Sequence, residues 1–253
     1  MSGKPSAGWR RCCNPSAPRP AVKFSRLFLN RLQDQPDASD TVVVIDVLRS
    51  FTTAAVALER GARAVYPVEG VVAAAGLAAQ LAGSVSVGAV GGGDPVPGFD
   101  YGNSPSQLAE ADVAGRAVVL TTAAGVRGLQ RFHRAHHLFA ASLLCARATA
   151  KAIRAARARE VCFVITGEWV DRDGDEDIAC ADYIEALLLG ENAQAAVFAQ
   201  RVRDSDFGRR FAGGASPNLP AADLEIAADA DRCAFAMPVI RRDDGHLVIL
   251  KPR

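Results

Sequence analysis

The sequence predicts an α/β protein: a three-layer α/β/α sandwich around a mostly parallel sheet, made mixed by a C-terminal hairpin. Three observations carry this prediction. Short β-branched runs alternate with Ala-rich helical segments from residue 41 to residue 165, which is βαβ order and hence a parallel sheet. The run Val42-Val-Val-Ile45 is apolar at consecutive positions, as in a strand covered on both faces. Near the C terminus, residues 234–241 and 246–250 flank Asp243-Asp244-Gly245, a hairpin turn that adds antiparallel strands.

Taken in order, residues 1–20 hold four prolines and no apolar centre, so they read as a disordered head and not as a secretory signal. A single α/β domain is expected over 21–253. The strand at 42–45 ends in Asp46. Ser50 is placed to cap a helix whose apolar positions Phe51, Ala54, Ala55 and Leu58 fall at helical spacing, and Gly61 is placed to end it. Residues 63–68 read as a strand, 71–81 as a helix and 84–90 as a strand. The Gly- and Pro-rich stretch 91–105 cannot be regular structure, and loops of that length inside compact domains are usually functional or disordered; Phe99 and Tyr101 argue for an ordered one.

A strand at 116–120 then runs into the hydroxyl turn Thr121-Thr122-Ala-Ala-Gly125 and a helix at 126–132, repeating the strand, polar turn, helix order seen at Asp46. Residues 137–141 form a strand leading to Ser142, and 144–157 a helix whose Arg147, Lys151, Arg154 and Arg157 read as a solvated face. Residues 161–165 form the last central strand. An acidic loop follows, with Glu176 and Asp177 just before a helix starting near 178; its register does not fit an EF-hand. Helices are expected to about residue 231, and then the hairpin.

Composition narrows the function. With 49% hydrophobic and 23% charged residues among 253, the chain can bury a large core. Lys and Arg total 29 against 28 acids, a net charge of +1, which gives no general attraction to nucleic acid or an anionic membrane. No apolar run reaches the length of a membrane span. The six cysteines lack Cys-x-x-Cys spacing and read as thiols of a reducing cytoplasm. Homo-oligomerisation is left open.

The chemistry is expected where Asp46, Arg49, Ser50, Thr52 and Thr53 crowd a strand end and the first turn of a helix. In an open α/β sheet that edge binds ligands, and a helix N-terminus offers N–H groups to an anion. An Asp at a strand end is also an ordinary turn former, and a Thr at a helix start an ordinary cap. Four histidines without a Gly-x-Ser-x-Gly turn give no esterase triad. There is no phosphate loop, and Leu48 stands where a haloacid-dehalogenase phosphatase has its second acid. His133-x-x-His136-His137 lies between a helix end and a strand start and reads as surface. What remains is a set of carboxylates, hydroxyls, Arg49 and Arg127 at strand ends, suited to Mg2+ and an oxyanion such as a phosphate monoester.

In five places the sequence resembles the Mg2+-dependent 2-phosphosulfolactate phosphatases. These are Val44-Ile-Asp46-Val-Leu-Arg49-x-x-Thr52-Thr53; Pro97-Gly-Phe-Asp100-x-Gly-Asn103-Ser104-Pro105; Thr121-Thr122-x-x-Gly125-x-Arg127; Ser142-Leu-x-x-Ala146; and Glu176-Asp177 before a helix. The resemblance implies a phosphatase acting on a small phosphorylated hydroxy acid, with 2-phosphosulfolactate as substrate. It places Asp46, Glu176 and Asp177 on Mg2+, and Arg49, Thr52, Thr53 and Thr122 on the phosphoryl oxygens. Asn103, Ser104 and Arg127 would receive the rest of the substrate, with Ser50, Thr121, Gly125 and Ser142 lining the site. The family's usual Thr-Thr-x-Asn-Gly-Thr-Arg turn has Ala124 and Val126 here, its Gly-Glu-Arg is Gly88-Ala89-Val, and an Asn after the fifth strand is Cys145. These lost donors also fit a degenerate member that binds an anionic metabolite or a protein without turning it over.

Overall fold

A computed structural model describes residues 22–33, 40–91, 93–214 and 216–252. The expected head at 1–20, with Cys12 and Cys13, lies outside them. In chain order the strands are β1 (Lys23–Phe28), β2 (Thr41–Ile45), β3 (Ala64–Pro67), β4 (Val85–Val90), β5 (Asp94–Pro95), β6 (Ala117–Thr121), β7 (His137–Ala141), β8 (Glu160–Ile165), β9 (Met237–Arg241) and β10 (Leu247–Ile249). They form one mixed sheet in the order β1-β8-β2-β7-β9-β10-β3-β6-β4-β5. Strands β1, β8, β2 and β7 are parallel neighbours, as are β3, β6 and β4. The hairpin β9–β10 bridges these two parallel blocks through antiparallel ladders.

The helices are α1 (Ser50–Glu59), α2 (Val71–Gln80), α3 (Pro105–Glu110), α4 (Gly125–Arg131), α5 (Ala146–Ala155), α6 (Asp175–Leu189), α7 (Ala195–Asp204), α8 (Asp206–Ala212) and α9 (Ala221–Ala227). The two-residue period of a strand sorts them into layers. Val42 and Val44 of β2, Val65 of β3, and Val118 and Leu120 of β6 all face one core shared with Phe51 of α1, Leu108 of α3 and Leu129 of α4. On the opposite face Val43 and Ile45 meet α5 to α9, while Ala64 and Val119 meet α2. Each residue of β2 is thus buried on one face or the other, which is why its apolar run is unbroken. Four cysteines, Cys145, Cys162, Cys180 and Cys233, are buried as thiols.

The sequence pattern misses β1. It is an edge strand with alternating polar residues, held by a parallel ladder to β8 and by Phe24 stacked on Phe163 at 6.2 Å. Lys23 and Arg26 give it the charged edge that discourages further pairing. Helix α6 begins three residues earlier than expected, so Glu176 and Asp177 lie in its first turn. The expected solvated face holds: Arg147, Lys151, Arg154 and Arg157 are all exposed, with Arg147 also binding Asp231 at 2.9 Å and Arg154 donating to the Leu187 carbonyl.

Candidate active site

Two helix N-termini meet at one carboxylate. Asp46, 5% exposed, follows β2, and its Oδ1 accepts the Ser50 N–H at 2.9 Å. Its Oδ2 accepts the Ser50 hydroxyl at 2.6 Å and the Gly125 N–H at 2.9 Å. The Phe51 N–H is also taken, by the Asp46 carbonyl at 3.1 Å. Ser50 is therefore the first helical residue and not the cap; of the first-turn amides expected to be open to a ligand anion, those of Ser50 and Phe51 are occupied by Asp46 itself, the negative group that helix N-termini favour. Gly125 is required by this approach, because a Cβ there would stand 2.7 Å from Asp46 Oδ2. With the Ser50 proton given to Asp46, the Thr122 hydroxyl, 2.9 Å from Ser50 Oγ, donates in turn, forming a chain Thr122, Ser50, Asp46.

The two acids of α6 behave differently. Asp177 is fully buried and accepts three bonds, from Val47 N (2.8 Å), Thr166 N (3.0 Å) and Gly167 N (2.7 Å), while the Thr166 hydroxyl donates to the Ile45 carbonyl at 2.9 Å. It ties α6 to the ends of β2 and β8. Glu176 is also fully buried, yet neither carboxylate oxygen makes a hydrogen bond. The nearby Ser205 hydroxyl donates instead to Val202 O at 2.9 Å. Burial pushes the Glu176 carboxyl up to about 7. Asp177 is pushed well above the usual carboxylate range by burial first, then by the charges of Glu176 and Asp46.

A buried carboxylate with two unbonded oxygens is what a hard cation ligand looks like before the cation arrives, and an all-oxygen donor set suits Mg2+. Asp46, Glu176 and Asp177 do not form a closed cage. Among the described residues the trio whose ligand atoms all lie within 4.8 Å is Asp40, His136 and His137, at the other ends of β2 and β7. Mg2+ needs no such cage, since it keeps several waters and takes one or two carboxylates plus substrate oxygens. Asp46 and Glu176 fit that requirement.

Arg49, after a cis Leu48–Arg49 peptide, is buried. Its Nη1 donates to Asp223 Oδ2 at 2.7 Å and to the Asn218 carbonyl at 2.9 Å, and its Nη2 to the Gly93 carbonyl at 3.3 Å. Asp223, fully buried in α9, is a site residue that the sequence reading passes over. Its Oδ1 also accepts the Ser104 hydroxyl at 2.8 Å, so Ser104 is committed to this network and not held free for substrate. Ser106 and Gln107, beside it, line an open hollow of about 660 Å³ with Pro95, Phe99 and Tyr101.

The other expected residues divide clearly. The Thr52 hydroxyl donates to the Val47 carbonyl at 2.7 Å, fixing the turn and leaving no proton for a phosphoryl oxygen. Arg127 turns to Asn30, beyond β1. Thr121 is buried at the end of β6, so close to Gly88 that a Cβ there would lie 2.7 Å from its methyl. By contrast Thr53 Oγ1, Asn103 Oδ1 and Ser142 Oγ are buried and make no hydrogen bond among the described residues.

Carboxylates set in first helical turns, unbonded hydroxyl and amide oxygens and a buried arginine at one edge of an α/β sheet define an oxyanion-handling enzyme of the phosphatase kind. The model of the 2-phosphosulpholactate phosphatase family matches residues 27–212. A "Probable 2-phosphosulfolactate phosphatase" of Thermus thermophilus is 35% identical over 84% of this chain and 92% of its own. Proteins of the same name from Bacillus subtilis (28%, over 83% and 90%) and Thermoplasma volcanium (31%, over 64% and 74%) are also similar. The chain belongs to the 2-phosphosulpholactate phosphatase family, whose members are phosphoric monoester hydrolases. No helix among the described residues is long and apolar enough to cross a membrane.

Proposed function

We propose that the protein is a Mg2+-dependent phosphatase that hydrolyses 2-phosphosulfolactate to sulfolactate and phosphate. The observation that carries this reading is the set of buried polar atoms without partners, the two oxygens of Glu176 with Thr53 Oγ1, Asn103 Oδ1 and Ser142 Oγ. Native proteins leave few such atoms unpaired; these five belong to residues singled out from the sequence, as does the buried Arg127 Nε, while Thr41 Oγ1 belongs to a residue that was not. The relatives' shared name supports the substrate.

In this reading Asp46 and Glu176 hold Mg2+, which supplies Lewis-acid polarisation of a phosphoryl oxygen. Asp46 is held in place by three donors, so it is oriented before any ligand arrives. Thr53 and Ser142 present hydroxyls, each a donor as well as an acceptor, to the anionic oxygens of the substrate. Arg49 presents the part of its guanidinium that Asp223 leaves unused. Asn103, in sequence between Gly102 of the hollow and Ser104 of the Asp223 network, receives the acid end of the substrate. Phosphate release from 2-phosphosulfolactate, with and without EDTA, tests this: the expected result is turnover that EDTA abolishes and Mg2+ restores. Absence of release from 2-phosphosulfolactate and from a panel of other phosphorylated carboxylic acids would refute it and leave the metabolite-binding reading.

A further inference from the structure

Asp223 lies beyond the segment matched by the family model, yet it is fully buried and joins two motifs far apart in sequence. One oxygen holds Arg49 at 2.7 Å; the other accepts the Ser104 hydroxyl (2.8 Å), the Ser106 N–H (2.9 Å) and the Ser106 hydroxyl (2.6 Å). A buried ion pair is a poor source of stability, because well-packed apolar residues of the same volume do as well or better. What the pair provides is orientation. A guanidinium has five N–H donors in a fixed fork. In Arg49 two on Nη1 and one on Nη2 are used within the protein, while Nε–H and the second Nη2–H bond to nothing among the described residues. Nε and Nη2 share one edge of the guanidinium, the edge that grips an oxyanion through two parallel bonds, and the Phe211 ring lies 5.2 Å from its central carbon.

We propose that Asp223 is a positioning residue for phosphoryl transfer: it clamps Arg49 so that its Nε and Nη2 edge faces the phosphoryl group, and it couples that edge to the segment around Ser104 and Ser106. This rests on the reading of the site as a phosphatase. Asp223 touches no substrate atom in this role and acts through Arg49.

The test combines Asp223→Asn, Arg49→Lys and the double variant, with two readouts: turnover of 2-phosphosulfolactate, and calorimetric binding of inorganic phosphate in Mg2+. Asn keeps the size and can still accept from Ser104 and Ser106, but it turns an NH2 or a neutral oxygen toward Arg49. The expected result is a phosphate Kd raised at least about tenfold and kcat lowered by at least as much, the scale of one charge-assisted hydrogen bond. The double variant should be no worse than Arg49→Lys by more than about threefold, since both remove the same edge. A merely structural Asp223 would lower Tm while leaving phosphate Kd and kcat of the folded protein unchanged; that result overturns the proposal and leaves the phosphatase reading standing. Phosphate binding that Asp223→Asn weakens, in a protein without turnover, sinks the phosphatase reading but keeps the clamp. A wild-type protein that neither binds phosphate nor turns over substrate sinks both. If Asp223→Asn does not fold, Ser106→Ala decides, because it removes one Oδ1 donor and leaves the ion pair. A phosphate Kd raised by about threefold or more supports the coupling, and an unchanged Kd with unchanged Tm overturns it.

Discussion

Substituting Glu176 by Gln separates a metal ligand from a structural acid. The two side chains have the same shape, and because neither Glu176 oxygen accepts a hydrogen bond, the amide gives up no contact. What changes is the charge. Burial raises the carboxyl from its ordinary 4.5 to about 7, so the folded state favours the protonated acid. A raised acid contributes stability that is present below its ordinary pKa and is lost as pH climbs through 4.5 toward 7. At about 1.4 kcal/mol per unit, the whole loss is on the order of 3 kcal/mol. Urea denaturation of metal-free protein should therefore find Glu176→Gln about 2 to 3 kcal/mol more stable than wild type at pH 8, and close to it at pH 5. Saturating Mg2+ at pH 8 should stabilise the wild type by roughly 2 to 3 kcal/mol at a hundredfold excess over Kd, and the variant by much less. Turnover should fall by about a thousandfold, several kcal/mol of lost Lewis-acid assistance. Equal stability differences at both pH values, or equal Mg2+ stabilisation of both proteins, would refute the reasoning.

Three further substitutions probe the neighbouring geometry. Asp46→Asn should lose about 2 to 4 kcal/mol, since the Ser50 and Gly125 amides address different oxygens and an Asn has only one; urea titration checks this, with turnover falling about a thousandfold. Gly167→Ala should cut Mg2+ affinity measured by calorimetry, because the added Cβ would stand 2.5 Å from Glu176 Oε1 and 3.1 Å from Asp177 Oδ2. Thr52→Val should cost about 1 to 3 kcal/mol in thermal or urea unfolding by leaving the Val47 carbonyl unpaired, while kcat of the folded protein stays within about threefold.

The β2 to α1 passage is legible because each of its signals is local: a run buried on both faces, an acid at its end, helical spacing after it. The partners of those side chains are not local. Thr52 and Thr53 are neighbours of the same type, but α1 carries one hydroxyl back to Val47 O and leaves the other buried and unbonded, a difference set by the register of one helical turn. Asp46 and Asn would serve a turn alike on sequence grounds. The structure separates them because two helix ends address two different oxygens. Asp223 is the clearest omission. It sits in an ordinary amphipathic helix two residues before Glu225, which is exposed and pairs with Arg203. Nothing within α9 tells the buried acid from the solvated one; only the packing of α9 against α3 and the approach of Arg49 do so.

The departures from the family turn bear on which half of the site has changed. Val126 is fully buried among the core residues shared by α1 and β2, so in this chain the position contributes packing where the family pattern has a hydroxyl. Cys145 is likewise sealed, its thiol pushed up by burial and pointed at the Ser142 carbonyl at 3.4 Å. Neither change touches the backbone N–H that Gly125 gives to Asp46, nor the Asp46, Arg49 and Glu176 set. On this edge stand Asp46, Asp223 and the guanidinium of Arg49, which Asp223 already balances, while burial favours the protonated forms of Glu176 and Asp177 against the pull of Arg172 on Glu176. A phosphate monoester brings further negative charge. Coulomb repulsion at a few ångströms in a partly buried site amounts to several kcal/mol per pair at an effective dielectric near 20, so an anionic substrate would be repelled by the bare site. A divalent cation on Asp46 and Glu176 would offset that repulsion, so the proposed Mg2+ would serve substrate binding as well as chemistry.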